Sequence, residues 1–180
     1  MSKDQDSGLS DTELAAQAKH LHLTTFKGCF SKDTLPRLGD NQCAIVNIED
    51  SVDEKGEPLP GSHWVAAGRR QGQSWYYDSF GLGIPPDIKA ALRAPIFHVS
   101  QEFQSPSSQA CGLFALAACA TSESSDPVTK SLGDLTKRLN RPNLNDNDQI
   151  IKNFLHYKEQ HMSGSGIVYD YNHTHSAYLQ

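Results

Sequence analysis

Blocks of apolar residues alternate with polar stretches along the chain, and the short blocks have the character of strands. Each is rich in apolar, aromatic or β-branched residues and is bounded by polar, Gly or Pro positions, a pattern typical of buried strands. The blocks are Cys43–Ile48, Trp64–Gly68, Ser74–Asp78 and Pro95–Val99. The polar segment between the second and third blocks, residues 69–73, predicts a turn that joins them as a hairpin.

Two segments between these blocks predict loops. Residues 26–42 contain Gly28, Pro36 and Gly39 and show no sustained periodicity. Residues 51–61 are charged and rich in Pro and Gly, which favours an exposed loop.

Helical periodicity is clearest near the two ends of the chain. Ser10 followed by Glu13 forms a capping-box pattern that predicts a helix extending to about Leu21. Its apolar face is predicted to hold Leu14, Ala15, Ala18 and Leu21. Residues 148–161 predict an amphipathic helix, and residues 86–92 a short one that begins at a proline.

The segment from Cys111 to Ala120 is apolar nearly all round, which predicts a central buried helix. It is also the longest apolar run, and it has half of the roughly 20 residues that a membrane span requires. No membrane association is therefore expected. Together the elements favour an α+β fold with a mixed central sheet flanked by helices.

Length and composition limit the possible functions. The chain has 180 residues, of which 37% are hydrophobic, and this size suits one domain with a real core. Its formal net charge of −5 disfavours a strong global affinity for nucleic acid. Four cysteines at irregular spacing match neither a zinc motif nor a disulfide framework.

Cys111 opens the predicted buried helix, and that position favours a reactive thiol. Unpaired N–H groups and the positive end of the helix dipole stabilise a thiolate, which is the nucleophilic form. Gly112 follows it and leaves space for a substrate carbonyl to approach. The alternative is a small core residue, and Cys119 in the same helix fits that alternative well.

A nucleophilic thiol requires a base, a group that orients the base, and an oxyanion donor. His63 precedes one strand of the predicted hairpin and Asp78 closes the other, so both lie at the same end. Gln104 precedes the Cys111 helix and can donate an amide hydrogen to an oxyanion. Taken singly, each residue has another explanation. His63 also fits ordinary packing, Asp78 a turn that ends a strand, and Gln104 an exposed loop.

The order His, Asp, Gln, Cys resembles that of the adenovirus-type cysteine endopeptidases, the adenain family, and more distantly that of SUMO-specific proteases. The resemblance covers roughly residues 10–161. It is carried by three motifs, Gly-Ser-His-Trp at 61–64, Tyr-Asp-Ser-Phe-Gly at 77–81, and the stretch from Gln104 to Phe114. In the last motif the Gln lies seven residues before the Cys, a spacing that favours the adenovirus type.

The resemblance implies a papain-like arrangement in which Cys111, His63 and Asp78 hydrolyse peptide bonds through a thioester. Gln104 would hold the oxyanion, and Trp64 would pack near the imidazole. The implied substrates are viral precursor and capsid proteins cut at Gly-containing sites. The implied location is the virion and the infected host cell, in the nucleus.

Other properties of the family match this chain less well. Its activating peptide is tethered to a Cys, whereas the matching segment Leu92–Phe97 contains none. Its members are basic and use DNA as a cofactor, whereas this chain is acidic, so DNA activation is not expected. The basic clusters Arg69-Arg70 and Lys137-Arg138-Arg141 are interpreted as solvated surface. No metal site is expected, since His20-Leu21-His22 and His173-Thr174-His175 lack further ligands nearby.

The sequence divides into a protease domain over residues 1–162 and a tail over residues 163–180. Met162 to Gly166 matches the family's cleavage pattern, with the cut between Ser165 and Gly166. Residues 166–180 would then be a strand-forming peptide activator supplied in cis. A flexible or engineered Ser-Gly linker and a disordered tail are the alternatives.

Three functions compete at this point. They are a viral maturation endopeptidase, a deconjugase of ubiquitin-like modifiers that end in Gly-Gly, and a catalytically idle binding module. Competent residues at all four chemical positions disfavour the third.

Overall fold

The computed structural model describes residues 8–139 and 141–162. Within them the chain forms an α+β domain, as predicted, with a five-stranded mixed sheet in the order β1-β2-β3-β4-β5. The strands are β1 Phe26–Ser31, β2 Gln42–Asn47, β3 Trp64–Arg70, β4 Gln73–Tyr77 and β5 Ile96–Val99. The helices are α1 Asp11–His20, α2 Pro86–Ala91, α3 Cys111–Ser122, α4 Val128–Leu139 and α5 Asn145–Met162.

The central strands form an antiparallel meander, in which β2 pairs with β3 and β3 with β4. The predicted hairpin is confirmed, but its turn is tighter than residues 69–73. Arg70 pairs with Gln73, so only Gln71 and Gly72 remain between the strands. Both have positive φ, 48° and 78°, as a two-residue hairpin turn with the twist of the strands requires.

The prediction of a loop over residues 26–42 is wrong at its start, because Phe26–Ser31 forms β1 at the edge of the sheet. This strand pairs in parallel with β2, and its register shifts between Phe26 and Cys29. Gly28, at φ 134°, lies within that irregular stretch. A bulged strand does not alternate regularly, which is why its sequence resembles a loop.

Both faces of the sheet are buried, which explains the unbroken apolar blocks. Ile45, Ala66 and Tyr77 face the cluster formed with α1, α3, α4 and α5. Their neighbours Val46, Val65 and Tyr76 face the other way and pack with Ile88 of α2. Helix α3 lies at the centre, since ten of its residues are buried.

The capping box of α1 is confirmed, as Glu13 N–H donates to the Ser10 hydroxyl and the Glu13 carboxylate accepts from Ser10 N–H. Ala15 was predicted on the apolar face of α1 but is exposed. Only Leu14 and Ala18 of this helix are buried, because α1 contacts the domain along a narrow stripe.

Sequence reasoning did not assign α4. Its apolar positions recur at helical spacing, and the buried ones are Val128, Leu132, Leu135 and Leu139. Helix α5 begins at Asn145, three residues before its predicted start. No helix in the part of the chain that the structure describes combines the length and the apolar character needed to span a bilayer.

Gly68 gives a test of the packing within the hairpin. A Cβ at this position would lie 2.5 Å from the Trp75 ring on the paired strand. We expect Gly68→Ala to lower the free energy of unfolding by about 1–3 kcal/mol, since the buried indole must move. Urea denaturation followed by Trp fluorescence would measure this change.

Gly133 of α4 provides the matched control, because a Cβ there meets no atom within 4 Å. Gly133→Ala should raise the free energy of unfolding by roughly 0.5–1 kcal/mol through helix propensity. Equal effects of the two substitutions would contradict the packing described for Trp75.

Candidate active site

His63 and Asp78 meet at one end of the β3–β4 hairpin, as the sequence predicts. His63 immediately precedes β3 and Asp78 immediately follows β4. The imidazole Nε2 lies 2.7 Å from the carboxylate Oδ1 of Asp78. Both residues are almost fully enclosed, with exposures of 6% and 1%. The contact is therefore a buried ion pair whenever His63 is protonated.

The turn after β4 fixes the carboxylate and covers the imidazole. Phe80 N–H donates to Asp78 Oδ1 at 2.8 Å, and Gly81 N–H donates to the Asp78 carbonyl. The Phe80 ring packs on the imidazole, with a centroid separation of 4.6 Å. Sequence reasoning did not give Phe80 this position, although it lies within the motif that carries Asp78.

Cys111 is the first residue of α3, and its residue exposure is 9%. Helix α3 has no side-chain cap, so its first N–H groups are not satisfied by one. Burial acts to raise the pKa of the thiol. The interaction with His63 and the N–H groups of Trp64 and Gly112 outweigh burial and lower the pKa. The sequence prediction of a thiolate-stabilising position agrees with this arrangement.

Burial would by itself lower the pKa of His63. The hydrogen bond to Asp78 and the interaction with Cys111 more than compensate, and they raise the pKa to about 9. Nε2 is bonded to Asp78, while Nδ1 makes no hydrogen bond within the described residues. The pair thus favours the thiolate of Cys111 and the imidazolium of His63, and Nδ1 is the ring nitrogen left to exchange a proton.

Two other cysteines behave in the opposite way. Burial, reinforced by Asp11, raises the pKa of Cys29 to about 12. Burial also raises the pKa of Cys119, which lies within the core. The interpretation of Cys119 as a small core residue agrees with this placement. None of the four cysteines forms a disulfide bond.

Gln104 is buried and its amide is held at both ends. Its Oε1 accepts from the Ser79 hydroxyl at 2.6 Å, and its Nε2 donates to the Ser108 carbonyl at 2.9 Å. One amide hydrogen remains for another acceptor. The reading of Gln104 as an exposed loop residue is wrong, since its exposure is only 1%.

The start of α5 anchors the loop between Gln104 and Cys111. Asn147 Nδ2 donates to the Phe103 carbonyl at 2.8 Å, and Asp148 Oδ2 accepts from the Ser108 hydroxyl at 2.7 Å. Sequence reasoning missed these supporting residues. Their signal was limited to a cluster of Asn and Asp before an amphipathic helix, which also fits simple capping.

Two neighbouring residues have contacts that sequence reasoning did not identify. A Cβ on Gly112 would lie 3.0 Å from a Leu14 methyl, so this glycine makes room for α1. The Phe80 ring packs on the imidazole, and the Trp64 indole donates to the Leu9 carbonyl at 2.9 Å. Trp64 also lines a groove beside Cys111.

This groove has a volume of about 610 Å³, and it is lined by Cys111 and by residues of the irregular strand β1. The segments Gly8–Asp11 and Leu59–Ser62 also line it, together with Asn47 and Trp64. The thiol therefore borders an open cleft beside the edge of the sheet.

Several predictions fall elsewhere or outside the described residues. Ser165, Gly166 and the rest of residues 163–180 lie outside them. The Arg70 guanidinium donates to the carbonyls of Glu123 and Ser124, so that it is not simply solvated. Among the described residues, no three His, Cys, Asp or Glu side chains are grouped so as to hold a metal ion.

Comparison with protein-family models and with curated proteins finds no match to this chain.

Asp78 provides a test of the proposed ion pair. Asp78→Asn removes the charge that raises the pKa of His63, so the imidazolium and the Cys111 thiolate both lose stabilisation. We expect the midpoint of the pH dependence of Cys111 alkylation to rise by about one unit or more. Iodoacetamide labelling with peptide-level mass spectrometry would measure it.

Asp87→Asn, at an exposed position in the first turn of α2, is the matched control and should leave the midpoint unchanged. An unchanged midpoint in Asp78→Asn would contradict the pairing.

Proposed function

We propose that the protein is a cysteine endopeptidase of the adenain type with a papain-like catalytic arrangement. The observation that carries the proposal is the His63–Asp78 hydrogen bond beside a thiol whose pKa is lowered at the start of a buried helix. Nucleophilic catalysis requires this set of a thiolate, a base and an orienting carboxylate. The sequence resemblance at the same residues supports the assignment.

In the first step, Cys111 Sγ attacks the carbonyl carbon of the scissile peptide bond, and the carbonyl oxygen becomes an oxyanion. The backbone N–H of Cys111 and the remaining amide hydrogen of Gln104 are the proposed donors to that oxygen. The hydrogen bonds of Gln104 to Ser79 and Ser108 fix its amide in advance, so that little reorganisation is needed when charge develops.

In the second step, protonated His63 gives its proton to the departing amine, and the C–N bond breaks to leave a thioester. The neutral imidazole then takes a proton from water, and the resulting hydroxide attacks the thioester carbon. The acid product leaves and Cys111 is restored as a thiolate. Asp78 holds the imidazole throughout and stabilises its charged form.

The proposed substrates are viral precursor and capsid proteins cut at Gly-containing sites, during maturation of the virion in the infected cell. The open groove beside Cys111 supports an extended polypeptide as the substrate. Activation by residues 166–180 in cis stays a prediction, as does the cut between Ser165 and Gly166.

A substrate panel would test the proposal. We expect cleavage of peptides of the form Leu-X-Gly-Gly or Leu-X-Gly-X followed by Gly, with no turnover by Cys111→Ala because the nucleophile is lost. Cleavage can be followed by chromatography and mass spectrometry. The Cys119→Ser variant, altered at a thiol buried in the core, controls for general effects of removing a cysteine.

Fusions that end in Gly-Gly of a ubiquitin-like modifier belong in the same panel. Cleavage of these fusions, without cleavage of the peptides, would show that the protein is a deconjugase and not an endopeptidase. Turnover of neither class by the full chain would refute the proposal.

Gln104 provides a test of the oxyanion donors. Gln104→Ala should lower kcat by roughly 10²–10³-fold, the cost of one lost oxyanion donor, with KM changed far less. The rate of Cys111 alkylation should be nearly unchanged, because the thiolate does not need this donor.

Gln149→Ala, on the exposed side of α5, is the matched control and should leave kcat at its original value. A proportional loss of alkylation and kcat in Gln104→Ala would assign Gln104 a purely structural role.

A further inference from the structure

Asn47 occupies a position in the groove that the reaction steps above do not use. It is the last residue of β2 and pairs with Trp64 across the sheet, next to His63. Its exposure is 5%, yet it lines the same groove as Cys111. A nearly buried amide is normally held by hydrogen bonds, so the partners of the Asn47 amide indicate its role.

Hydrogen bonds fix the orientation of this amide. Asn47 Oδ1 accepts from the N–H of Glu49 at 3.0 Å and from the N–H of Ser62 at 3.4 Å. Because both partners are donors, the atom they contact is the carbonyl oxygen, and the NH₂ group is at the other end. Within residues 8–139 and 141–162, Nδ2 donates to no acceptor.

Gly61 leaves room for that NH₂ group. A Cβ on Gly61 would overlap with Asn47 Nδ2, and Gly61 also has a φ of 80°, which side chains disfavour. The absence of a side chain lets the amide lie against the backbone of the groove wall. The two hydrogens of Nδ2 are thus held in a fixed direction at the end of a strand, without an acceptor in the part of the chain that the structure describes.

We propose that Asn47 Nδ2 donates a hydrogen bond to a backbone carbonyl of the bound peptide, at a residue removed from the scissile bond. Asn47 is then a substrate-positioning residue, and this inference rests on the proposed peptidase function. A neutral carbonyl suits the site better than an anion, since Asp11 also lines the groove. A backbone acceptor is available in every peptide sequence, so the contact sets the register of the substrate without reading its side chains.

The test compares Asn47→Asp with the original chain on two substrates. Asp keeps an oxygen for Glu49 and Ser62 but cannot donate to a carbonyl. The first substrate is an extended peptide with four residues on each side of the cleaved bond. The second is a blocked Gly-Gly amide with a fluorogenic leaving group, which lacks the distant carbonyls.

We expect kcat/KM for the extended peptide to fall about tenfold, mainly through KM, because the contact is present equally in the ground state and the transition state. The value for the Gly-Gly amide should stay within about twofold of the original, as only remote binding is lost. Asn153→Asp, at an exposed position on α5, is the control for the added charge and should leave both values unchanged.

Each remaining outcome overturns a different statement. Equal losses on both substrates, with Cys111 alkylation retained, would mean that Asn47 acts through the catalytic residues. No loss on the extended peptide would remove the proposed contact. Failure of the original chain to cleave either substrate would refute the peptidase function itself.

Asn47→Ser guards against misfolding of the Asp variant. Its shorter side chain keeps a hydroxyl acceptor near the backbone but does not reach the position of Nδ2. If Cys111 of the Asn47→Asp variant is no longer alkylated, its site is disturbed. The two substrates are then compared with the Asn47→Ser variant, and the same outcomes support or overturn the proposal.

Discussion

The carboxylate of Asp78 is enclosed by protein, and a buried charge without partners would cost several kcal/mol. Its partners are the imidazole of His63 and the N–H of Phe80. The hairpin register brings the imidazole there, because pairing of Ala66 with Tyr77 places His63 across from the turn that follows β4. The buried carboxylate of Asp78 thus favours the protonated form of His63. The positive charge of this imidazolium in turn stabilises the thiolate of Cys111.

Regular elements were the predictable part of the fold. The blocks that became β2, β3 and β4 are buried on both faces, so their composition alone indicated strands. The irregular strand β1 escaped prediction because its bulge breaks the alternation, and its identity as a strand depends on pairing with β2. Helix α4 could have been predicted, because its apolar residues recur at helical spacing in the sequence.

The chemical groups of the site were predictable from motifs, but their supports were not. Gln104 could be assigned from its spacing to Cys111, whereas its partner Ser79 lies 25 residues away and has no sequence pattern that marks it. Asn147 and Asp148 of α5 contact the same loop at residues that are 44 and 40 positions earlier in the chain, respectively. The packing of Leu14 against Gly112 could not be predicted, because the groups that surround a glycine depend on tertiary packing.

Helix α1 and the residue Leu9 before it link the periphery of the domain to its centre. Leu9 accepts from the Trp64 indole, and Leu14 packs against Gly112, the residue that follows Cys111. Helix α1 buries only Leu14 and Ala18, and elements with few buried apolar contacts open more readily than central strands. Partial detachment of α1 would therefore remove part of the groove lining and loosen the helix that carries the thiol, while the sheet stayed intact. Thermal inactivation of such a molecule would precede its melting.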